Sequence, residues 1–342
     1  MKAMFYQGGG KFELGDAEIK APGKNEVVVK LYYSGICGSD LHIAKAEWDA
    51  RIATFPRVAG HEGSGEIVEV GSEVTDWKVG DRVVIRPLET CGVCPACKSG
   101  NGNVCKSVKY YGIELDGTFQ NYWTVGTEIL HRIPDSLSML HASLVEPLAV
   151  CCHAVQRGGA KAGDNAVVIG GGPIGLMTAV VLKSKGVNVV VSELSPVRLE
   201  NCRKLGITAV NPMEVDLLGL VDEMTGGYGA DVVFEASGSQ PGFSTAPTLL
   251  HPNGIMVTVA TYGKPMQLVT SPLHFKQISL VTTRAYQKCD FDEALKLMED
   301  KLFDCDALIT NVYPLEKLEE AMSACMAGAD VVKIVIDCQS VQ

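Results

Sequence analysis

Hydrophobic and polar residues follow two different patterns along the chain. From about residue 25 to 150, short β-rich runs such as EVVVKLYYSG and GDRVVIRP are separated by glycine turns, which predicts a partly open β-barrel or sandwich. From about residue 163 the pattern becomes strand, glycine turn, helix, strand, as in AVVIGG, PIGLMTAVVLKSKG and VNVVVSE. This second pattern is typical of the βαβ units of a parallel, doubly wound sheet.

The pattern changes once more past about residue 284. Two amphipathic helices, DFDEALKLMED and LEKLEEAMSACMAG, precede the strand KIVID in a stretch too short to form a domain. We therefore predict a β-rich domain at 1–146, a doubly wound domain at 147–283, and a return of 284–342 to the first domain.

The uncharged run Asn165–Leu182 approaches the length of a membrane span, but its four glycines and one proline indicate a strand, a turn and a helix.

Composition and charge narrow the classes of function. The 342 residues are 46% hydrophobic and 20% charged, as in ordinary globular proteins, and the formal net charge is −10. Because no basic run occurs, we expect no nucleic-acid partner, and we also expect no membrane association. The first residues lack a secretory signal and most cysteines are scattered, so we expect a cytoplasmic protein with reduced thiols.

The most specific motif is the cysteine cluster CGVCPACKSGNGNVC. Its C-x2-C-x2-C-x7-C spacing brings together Cys91, Cys94, Cys97 and Cys105. Four thiolates fill the tetrahedral shell of a zinc ion and leave no position for a substrate. We therefore predict a structural zinc lobe at about residues 88–108, with disulfides or chance clustering of cysteines as the alternative interpretations.

A glycine motif directly after the strand AVVI predicts a dinucleotide site. Gly170, Gly172 and Gly175 occupy the three glycine positions of G-x-G-x-x-G, and a helix is expected to start near Pro173. Glycines permit the tight turn and let the backbone approach a pyrophosphate, whose charge then lies at the helix N-terminus. The alternative is a glycine turn in a βαβ unit that binds nothing.

The residues around the next strand predict which dinucleotide is bound. Glu193 ends the strand VNVVVSE, 23 positions after Gly170. A carboxylate there accepts hydrogen bonds from both adenosine ribose hydroxyls and repels the 2'-phosphate of NADP, so NAD is the predicted cofactor. Arg198 is a possible partner for a phosphate, which leaves NADP open. Ile174 and Val259 complete the cofactor contacts predicted from this part of the chain.

A second metal site is predicted from Cys37 in GICGSDLH and from His61 and Glu62 in AGHEGSG. A thiolate, an imidazole and a carboxylate suit a zinc ion that keeps a fourth position exchangeable. Such an ion acts as the Lewis acid that hydride transfer from an alcohol requires. Glu146, in LVEPLAV, lies at the border of the first two predicted domains, where substrate and nicotinamide must meet. Each residue taken singly also fits an ordinary packing or surface role.

In their order and spacing, GICGSDLH, GHEGSGEIVEVG, VGDRV, the cysteine cluster and GGGPIG resemble the zinc-dependent medium-chain dehydrogenase/reductase family. The glutamate in LVEPLAV, where alcohol dehydrogenases of the family place a cysteine ligand, is similar to the sorbitol, butanediol and threonine dehydrogenase branch. The resemblance implies an α/β fold with a GroES-like β-rich catalytic domain, a Rossmann domain with a doubly wound parallel sheet, and a cleft between them that holds the zinc. It also implies a homo-oligomer, either a dimer or a tetramer.

The resemblance gives each residue of the second metal site a role. The zinc ligands it implies are Cys37, His61 and Glu62. Glu146 then binds the metal directly or through its water, and Asp40 orients the ligand histidine. Ser39 and His42 match a relay that carries the alcohol proton to solvent, although His42 also fits a surface loop histidine. Arg284 resembles an arginine near substrate or cofactor, with a surface salt bridge as the alternative.

The predicted function is oxidation of a secondary alcohol to the ketone, with NAD and two zinc ions per chain, one catalytic and one structural. The substrate class is a polyol, sugar alcohol, sugar acid or diol. The alternatives are a threonine or amino-alcohol dehydrogenase of the same fold and a catalytically silent NAD- and zinc-binding protein. The polyol branch often has aromatic residues just after the relay histidine, where this chain has Ile43 and Ala44, which argues against sorbitol itself.

Overall fold

The computed structural model describes residues 1–328 and 331–340. Its strands are β1 Lys2–Gly8, β2 Lys11–Asp16, β3 Glu26–Gly35, β4 Arg57–Val58, β5 Glu62–Val70, β6 Arg82–Ile85, β7 Leu88–Glu89, β8 Lys109–Tyr110, β9 Tyr122–Gly126, β10 Leu130–Arg132, β11 Asn165–Ile169, β12 Asn188–Ser192, β13 Thr208–Val210, β14 Ala230–Glu235, β15 Leu250–Thr258, β16 Ser279–Thr282, β17 Ile309–Pro314 and β18 Lys333–Asp337. Its helices are α1 Gly38–Ala44, α2 Pro95–Lys98, α3 Met139–Ala142, α4 Val145–Gly158, α5 Pro173–Ser184, α6 Pro196–Lys204, α7 Leu217–Thr225, α8 Gln240–Leu249, α9 Thr270–Lys276, α10 Lys288–Glu299 and α11 Leu318–Ala327. Short 3-10 turns occur at Asp49–Arg51, Gly102–Val104, Thr127–Ile129 and Leu315–Lys317.

The chain packs as two compact units. The first unit consists of residues 1–146, 287–299 and 309–342, and the second of residues 147–286 and 300–308. Within the predicted range 284–342, residues 329–330 and 341–342 lie outside the described residues. These units are defined by contacts within the folded chain. The predicted domains are regions that fold independently, so their ranges stay predictions.

The first unit is built around a mainly antiparallel sheet in the order β10-β6-β5-β3-β18-β17, with β9 also paired to β3. Near its start, β3 has a run of three buried valines, of which Val27 and Val29 belong to the hydrophobic core of this unit. β18 pairs with β3 so that Val335 lies opposite Gly35, and β5 pairs with β3 so that Glu62 lies opposite the same glycine. The end of β3 and the start of β5 therefore lie beside the middle of β18.

The second unit contains a six-stranded sheet in the order β13-β12-β11-β14-β15-β16, in which every neighbouring pair is parallel. Numbered from β11, this is the order 3-2-1-4-5-6 of a doubly wound dinucleotide-binding sheet, whose order reverses between β11 and β14. The prediction of a parallel doubly wound sheet is confirmed. Ligands of such sheets bind at the carboxyl ends of the strands at this reversal.

The uncharged run at 165–182 forms β11 and α5, as predicted. Every side chain of α5 from Leu176 to Leu182 is buried, which explains why that half of the run carries no charge. In the part of the chain that the structure describes, no helix has both the length and the hydropathy of a membrane span.

Candidate active site

Three potential metal ligands converge where β3, α1 and β5 meet. Cys37 precedes α1, two residues after the end of β3, whereas His61 directly precedes β5 and Glu62 is its first residue. The thiol sulfur, an imidazole nitrogen and a carboxylate oxygen of these residues all lie within 4.8 Å of one another. Gly60, which precedes His61, has φ of +85°, a conformation that favours glycine. The backbone turn at Gly60 thus helps direct the next two side chains to the same point.

Asp40 lies behind the imidazole of His61. One carboxylate oxygen of Asp40 accepts a hydrogen bond of 2.8 Å from the N–H of Cys37, and the other lies 3.7 Å from His61 Nδ1. This second oxygen and His61 Nδ1 are buried and have no hydrogen-bond partner among the described residues. A thiolate, an imidazole and a carboxylate with unpartnered polar atoms behind them are a donor set that fits zinc.

The buried charges at this site are mostly negative. Burial raises the pKa of Asp40. Burial lowers the pKa of His61, but the charges of Asp40 and Cys37 outweigh this effect and raise it well above its usual value. The pKa of Lys333 is likewise lowered by burial and raised further by the charge of Glu62. The side chains around the three ligands therefore favour an additional cation.

Lys333, the first residue of β18, forms an ion pair with Glu62 that sequence analysis did not predict. Its Nζ donates a hydrogen bond of 2.6 Å to Glu62 Oε1 and one of 2.9 Å to the carbonyl oxygen of Ile36, and Glu62 Oε2 also lies beside the ammonium group. The only sequence signal was a lysine at the start of the otherwise apolar strand KIVID. Its partner lies 271 positions earlier, so a local motif could not reveal the pair.

Glu146 is buried in the first turn of α4. Within the described residues, the group of ligand atoms that lie within 4.8 Å of one another contains Cys37, His61 and Glu62 but not Glu146. Its charge acts on the site, because it adds to the nearer acidic groups in raising the pKa of both His61 and Lys333. Whether Glu146 binds the metal directly or through water stays a prediction.

The two residues of the predicted proton relay have different neighbours. The hydroxyl of Ser39 lies 3.3 Å from Nε2 of His61. His42 pairs through Nδ1 with a carboxylate oxygen of Glu47 and stacks on Trp48, with ring centroids 4.8 Å apart. No hydrogen bond joins Ser39 to His42 among the described residues, so their relay role stays a prediction.

Ile43 and Ala44 follow His42 on α1, and their argument against sorbitol stays a prediction. Ile43 is fully buried in a small core with Tyr6, Ile52 and Ile113, so its side chain contacts the core. The aromatic ring that stacks on His42 belongs to Trp48, which follows α1. A helix of seven residues is too short for its hydrophobic pattern to show which side faces the core.

The cysteine cluster forms a compact lobe. The sulfur atoms are 3.5 to 3.9 Å apart for the pairs 91/97, 94/97, 94/105 and 91/105. Four sulfurs that each bind zinc at about 2.3 Å lie about 3.8 Å from one another in a tetrahedron, so this arrangement fits zinc. A disulfide requires about 2.05 Å, and all of these cysteines are free. The short strands β7 and β8 pair at the base of the lobe.

We expect Cys94→Ser to affect stability more than chemistry. The change removes one of four sulfurs, so the variant should bind one zinc fewer per chain and lose on the order of 3 kcal/mol of unfolding free energy or more. Thermal unfolding and zinc analysis measure both effects. Cys289→Ser is the control, because Cys289 is exposed in the same unit and outside both clusters. A stable Cys94→Ser variant that is impaired only in the hydride step would contradict a structural role.

The predicted glycine motif forms the turn between β11 and α5. Gly170 has φ of +98°, and a Cβ at this position would lie 2.8 Å from the backbone nitrogen of Ser237. A Cβ on Gly175 would lie only 1.8 Å from the carbonyl oxygen of Gly170. Gly172 precedes α5, and Pro173 and Ile174 form its first turn. The loop can therefore accept only glycine at two of the three motif positions without rearrangement.

Glu193 follows β12 and is buried beside the glycine loop. Its carboxylate accepts hydrogen bonds of 2.6 to 2.8 Å from the N–H groups of Gly171, Leu194 and Ser195. The guanidinium of Arg198 lies 3.8 Å from the same carboxylate. Since a carboxylate has about four acceptor positions, three backbone bonds leave room for one further donor. One ribose hydroxyl fits this arrangement, whereas the predicted pair of hydroxyls requires a backbone bond to shift.

A second buried carboxylate, Glu235, was not predicted. It ends β14 next to the glycine loop and accepts hydrogen bonds from the N–H groups of Ser237 and Gly238 and from the hydroxyl of Tyr262. Its own carbonyl accepts the N–H of Val259, a predicted cofactor contact that follows β15. The sequence signal was an acid at the end of the apolar strand ADVVFE. Glu235 thus shapes the turn where the strand order reverses.

Arg284, the last of the predicted cofactor contacts, lies two residues beyond β16 and is exposed. Its role near substrate or cofactor stays a prediction.

The chain is similar to known zinc-type dehydrogenases. A family model of the alcohol dehydrogenase GroES-like domain matches residues 23–135, and one of zinc-binding dehydrogenases matches residues 173–300. The chain is 38% identical to 2-dehydro-3-deoxy-L-galactonate 5-dehydrogenase of Pseudoalteromonas atlantica over 100% of both chains. It is also 37% identical to sorbitol dehydrogenase of Halalkalibacterium halodurans, over 98% of this chain and 99% of that protein.

The chain belongs to the zinc-dependent medium-chain dehydrogenase family. The crystal structure of 2R,3R-butanediol dehydrogenase from Bacillus subtilis is similar to this dehydrogenase, with a TM-score of 0.91 and 33% identity over 98% of this chain and 99% of that one. The predicted α/β fold, with a GroES-like part and a Rossmann-like parallel sheet, is confirmed. The predicted activity class, a zinc-type dehydrogenase that acts on CH–OH groups, is confirmed as well.

Proposed function

We propose that this dehydrogenase oxidises a secondary hydroxyl group of a polyol, sugar acid or diol to the ketone, with NAD as the hydride acceptor. The observation that carries the proposal is the convergence of Cys37, His61 and Glu62 within 4.8 Å in acidic surroundings. The names of the relatives include a sugar acid, a polyol and a diol, which is the substrate range proposed here. The carboxylate of Glu193 beside the glycine loop supports NAD rather than NADP.

Each residue of the site would have a distinct task. Cys37, His61 and Glu62 would hold the zinc ion, and Asp40 would orient His61 so that Nε2 binds the metal. Bound zinc supplies a Lewis acid that lowers the pKa of the substrate hydroxyl, and the nicotinamide accepts the hydride. Gly170 and Gly175 let the backbone amides at the start of α5 approach the pyrophosphate.

The hydroxyl proton would leave through Ser39 and His42. The Ser39 hydroxyl lies 3.3 Å from Nε2 of His61, so it would be the first group of the chain to take the proton. His42 is partly exposed, and an imidazole can pass a proton to solvent near neutral pH. Glu47 pairs with Nδ1 of His42, which leaves Nε2 as the nitrogen that accepts the proton.

The proposal is tested by a substrate panel on the purified, zinc-containing protein. Sugar acids, polyols, diols and threonine are each offered with NAD and, in parallel, with NADP, and NADH or NADPH formation is followed. We expect at least one secondary alcohol to be oxidised with NAD and two zinc ions per chain. No oxidation of any member, fewer than two zinc ions, or unchanged turnover after removal of the catalytic metal would refute the proposal. Preference for threonine would identify the amino-alcohol branch instead.

The free cysteines support a reducing compartment, such as the cytoplasm, as the place of action. A small-molecule alcohol is the proposed substrate partner. The acidic net charge of −10 supports the expectation that nucleic acid is not a partner.

We propose further that the chain forms a homo-oligomer, either a dimer or a tetramer, through β16. This strand is the edge of the six-stranded sheet, and its Leu280 is 42% exposed, whereas Met256 and Val257 of the neighbouring β15 are buried. Phe275, on the helix before β16, is 83% exposed. An open strand edge beside exposed apolar side chains offers both main-chain hydrogen bonds and apolar surface to a second copy.

Leu280→Lys is expected to shift the chain toward the monomer, because it places a charge at the proposed contact. Light scattering after size-exclusion chromatography measures the mass directly. Met213→Lys, at an 81% exposed apolar residue of the same unit away from β16, is the control and should leave the mass unchanged. A wild-type monomer, or an oligomer that tolerates both changes, would contradict this contact.

A further inference from the structure

The ammonium group of Lys333 occupies an unusual place in this protein. Among the described residues, Lys333 is the only lysine or arginine that is buried. Its partner Glu62 is also fully buried, as is the nearby Asp40. Removing a charge from water is costly unless an opposite charge is close, so the pair must act together. Lys333 therefore supplies the positive charge that the ligand carboxylate of Glu62 needs inside the protein.

The site is shaped to hold Glu62 against this lysine. A Cβ on Gly35 would lie 1.9 Å from Glu62 Oε2 and 2.9 Å from Cε of Lys333. The carboxylate thus fills the space that any other side chain at position 35 would occupy. Glycine at the end of β3 is what allows Glu62 to reach Lys333.

Lys333 also has an anchor that does not depend on Glu62. Its Nζ donates to the carbonyl oxygen of Ile36, one residue before the ligand Cys37. If Glu62 turned away, the ammonium group would keep this bond and stay beside the site. The carboxylate of Glu62 therefore has two possible cationic partners, the fixed ammonium group and a metal ion held by Cys37 and His61.

We propose that Lys333 is a positioning residue that competes with the catalytic zinc for Glu62. Lys333 neutralises the charge of Glu62 while the site holds no metal. Its ion pair with Glu62 would become weaker when zinc binds. Competition of this kind is reciprocal: the ammonium group weakens zinc binding by the same factor by which zinc weakens the ion pair. The inference rests on the proposed function only in taking zinc to be the ion at this site.

The test measures zinc retention on the intact, zinc-loaded protein. A chelator removes zinc, and the metal left on each chain is counted, with the four-cysteine lobe as an internal reference in the same molecule. We expect Lys333→Met to lower the apparent dissociation constant of the catalytic zinc at least tenfold, because Glu62 then has only the metal as a partner. The melting temperature of the metal-free protein should fall much more than that of the loaded protein.

Two matched variants separate charge from packing. Lys333→Arg keeps a cation that can pair with Glu62, so its zinc retention should stay close to that of the wild type. Lys317→Met, which removes an exposed lysine of the same unit that is paired with Glu320, should change neither zinc retention nor stability. If Lys333→Met cannot be produced, Lys333→Gln carries the test. Its amide has no charge to pair with Glu62 but can still donate to a carbonyl oxygen such as that of Ile36, so zinc should again be lost more slowly.

The outcomes distinguish this inference from the proposed function. Unchanged or weaker zinc binding in Lys333→Met, or in Lys333→Gln when that variant carries the test, would overturn the competition. If Lys333→Met lowered the melting temperature equally with and without zinc, the role of Lys333 would be purely structural. That result would also overturn the proposed competition. A wild-type protein that binds zinc only at the cysteine lobe would instead refute the proposed function.

Discussion

Replacing Cys37 with serine is expected to reduce the rate of alcohol oxidation at least about a thousandfold. The thiolate is one of three side chains that converge on the proposed catalytic zinc, and a serine hydroxyl is a poor substitute for it. Loss of the ion removes about 4 kcal/mol or more of transition-state stabilisation, which corresponds to a factor of about a thousand. Steady-state kinetics with the preferred alcohol, together with zinc analysis, measures the effect.

NADH binding should survive this change, because the glycine loop between β11 and α5 belongs to the other unit of the structure. Fluorescence titration with NADH checks this expectation. Cys289→Ser is again the control, since it removes an exposed thiol from the same unit that belongs neither to the four-cysteine lobe nor to the site of Cys37. A Cys37→Ser variant that has lost the catalytic zinc but still oxidises alcohol at the normal rate would show that the metal is not part of the chemistry.

Replacing Glu193 with alanine is expected to reduce the preference for NAD over NADP by about a hundredfold. The variant loses a charge-assisted hydrogen bond to the adenosine ribose, and such a bond is worth roughly 1.5 to 3 kcal/mol, or about ten- to a hundredfold in affinity. It also loses the negative charge that repels a 2'-phosphate, while Arg198 stays beside the same loop. The ratio of kcat/KM for the two cofactors is the quantity to compare.

The control for Glu193 is Glu200→Ala. Glu200 lies on α6, is exposed, and pairs with Arg203 on the same helix, so its loss should leave the cofactor ratio unchanged. Thermal unfolding of the Glu193 variant is needed as well, because three backbone N–H groups lose their acceptor. An unchanged ratio in a stable Glu193→Ala variant would exclude this carboxylate as the selector of NAD.

The parts of the site that could be predicted from sequence are those carried by short segments. His61 and Glu62 are adjacent, and Cys37 directly precedes the helix that contains Asp40, so local motifs reveal both halves of the metal site. The doubly wound sheet was predictable for a similar reason, since its strand, turn and helix pattern repeats over neighbouring residues.

What could not be predicted depends on pairing between distant strands. Lys333 meets Glu62 only because β18 and β5 both pair with β3, and nothing near either residue indicates this register. Ile43 shows the same limit at short range, because sequence alone did not reveal that its side chain faces the core. Register and side-chain direction come from the assembled sheet, whereas motifs report only local geometry.

The insertion of β18 beside β3 has a consequence for the order of events during synthesis on the ribosome. The strand that completes this sheet and supplies Lys333 is translated only after the whole second unit has been translated. Until then, a nascent chain has Glu62 without its ammonium partner and the edge of β3 uncovered, a state open to chaperones and to mispairing. Ribosomes stalled before residue 333 should therefore carry a first unit that is sensitive to protease, even when the second unit is already resistant.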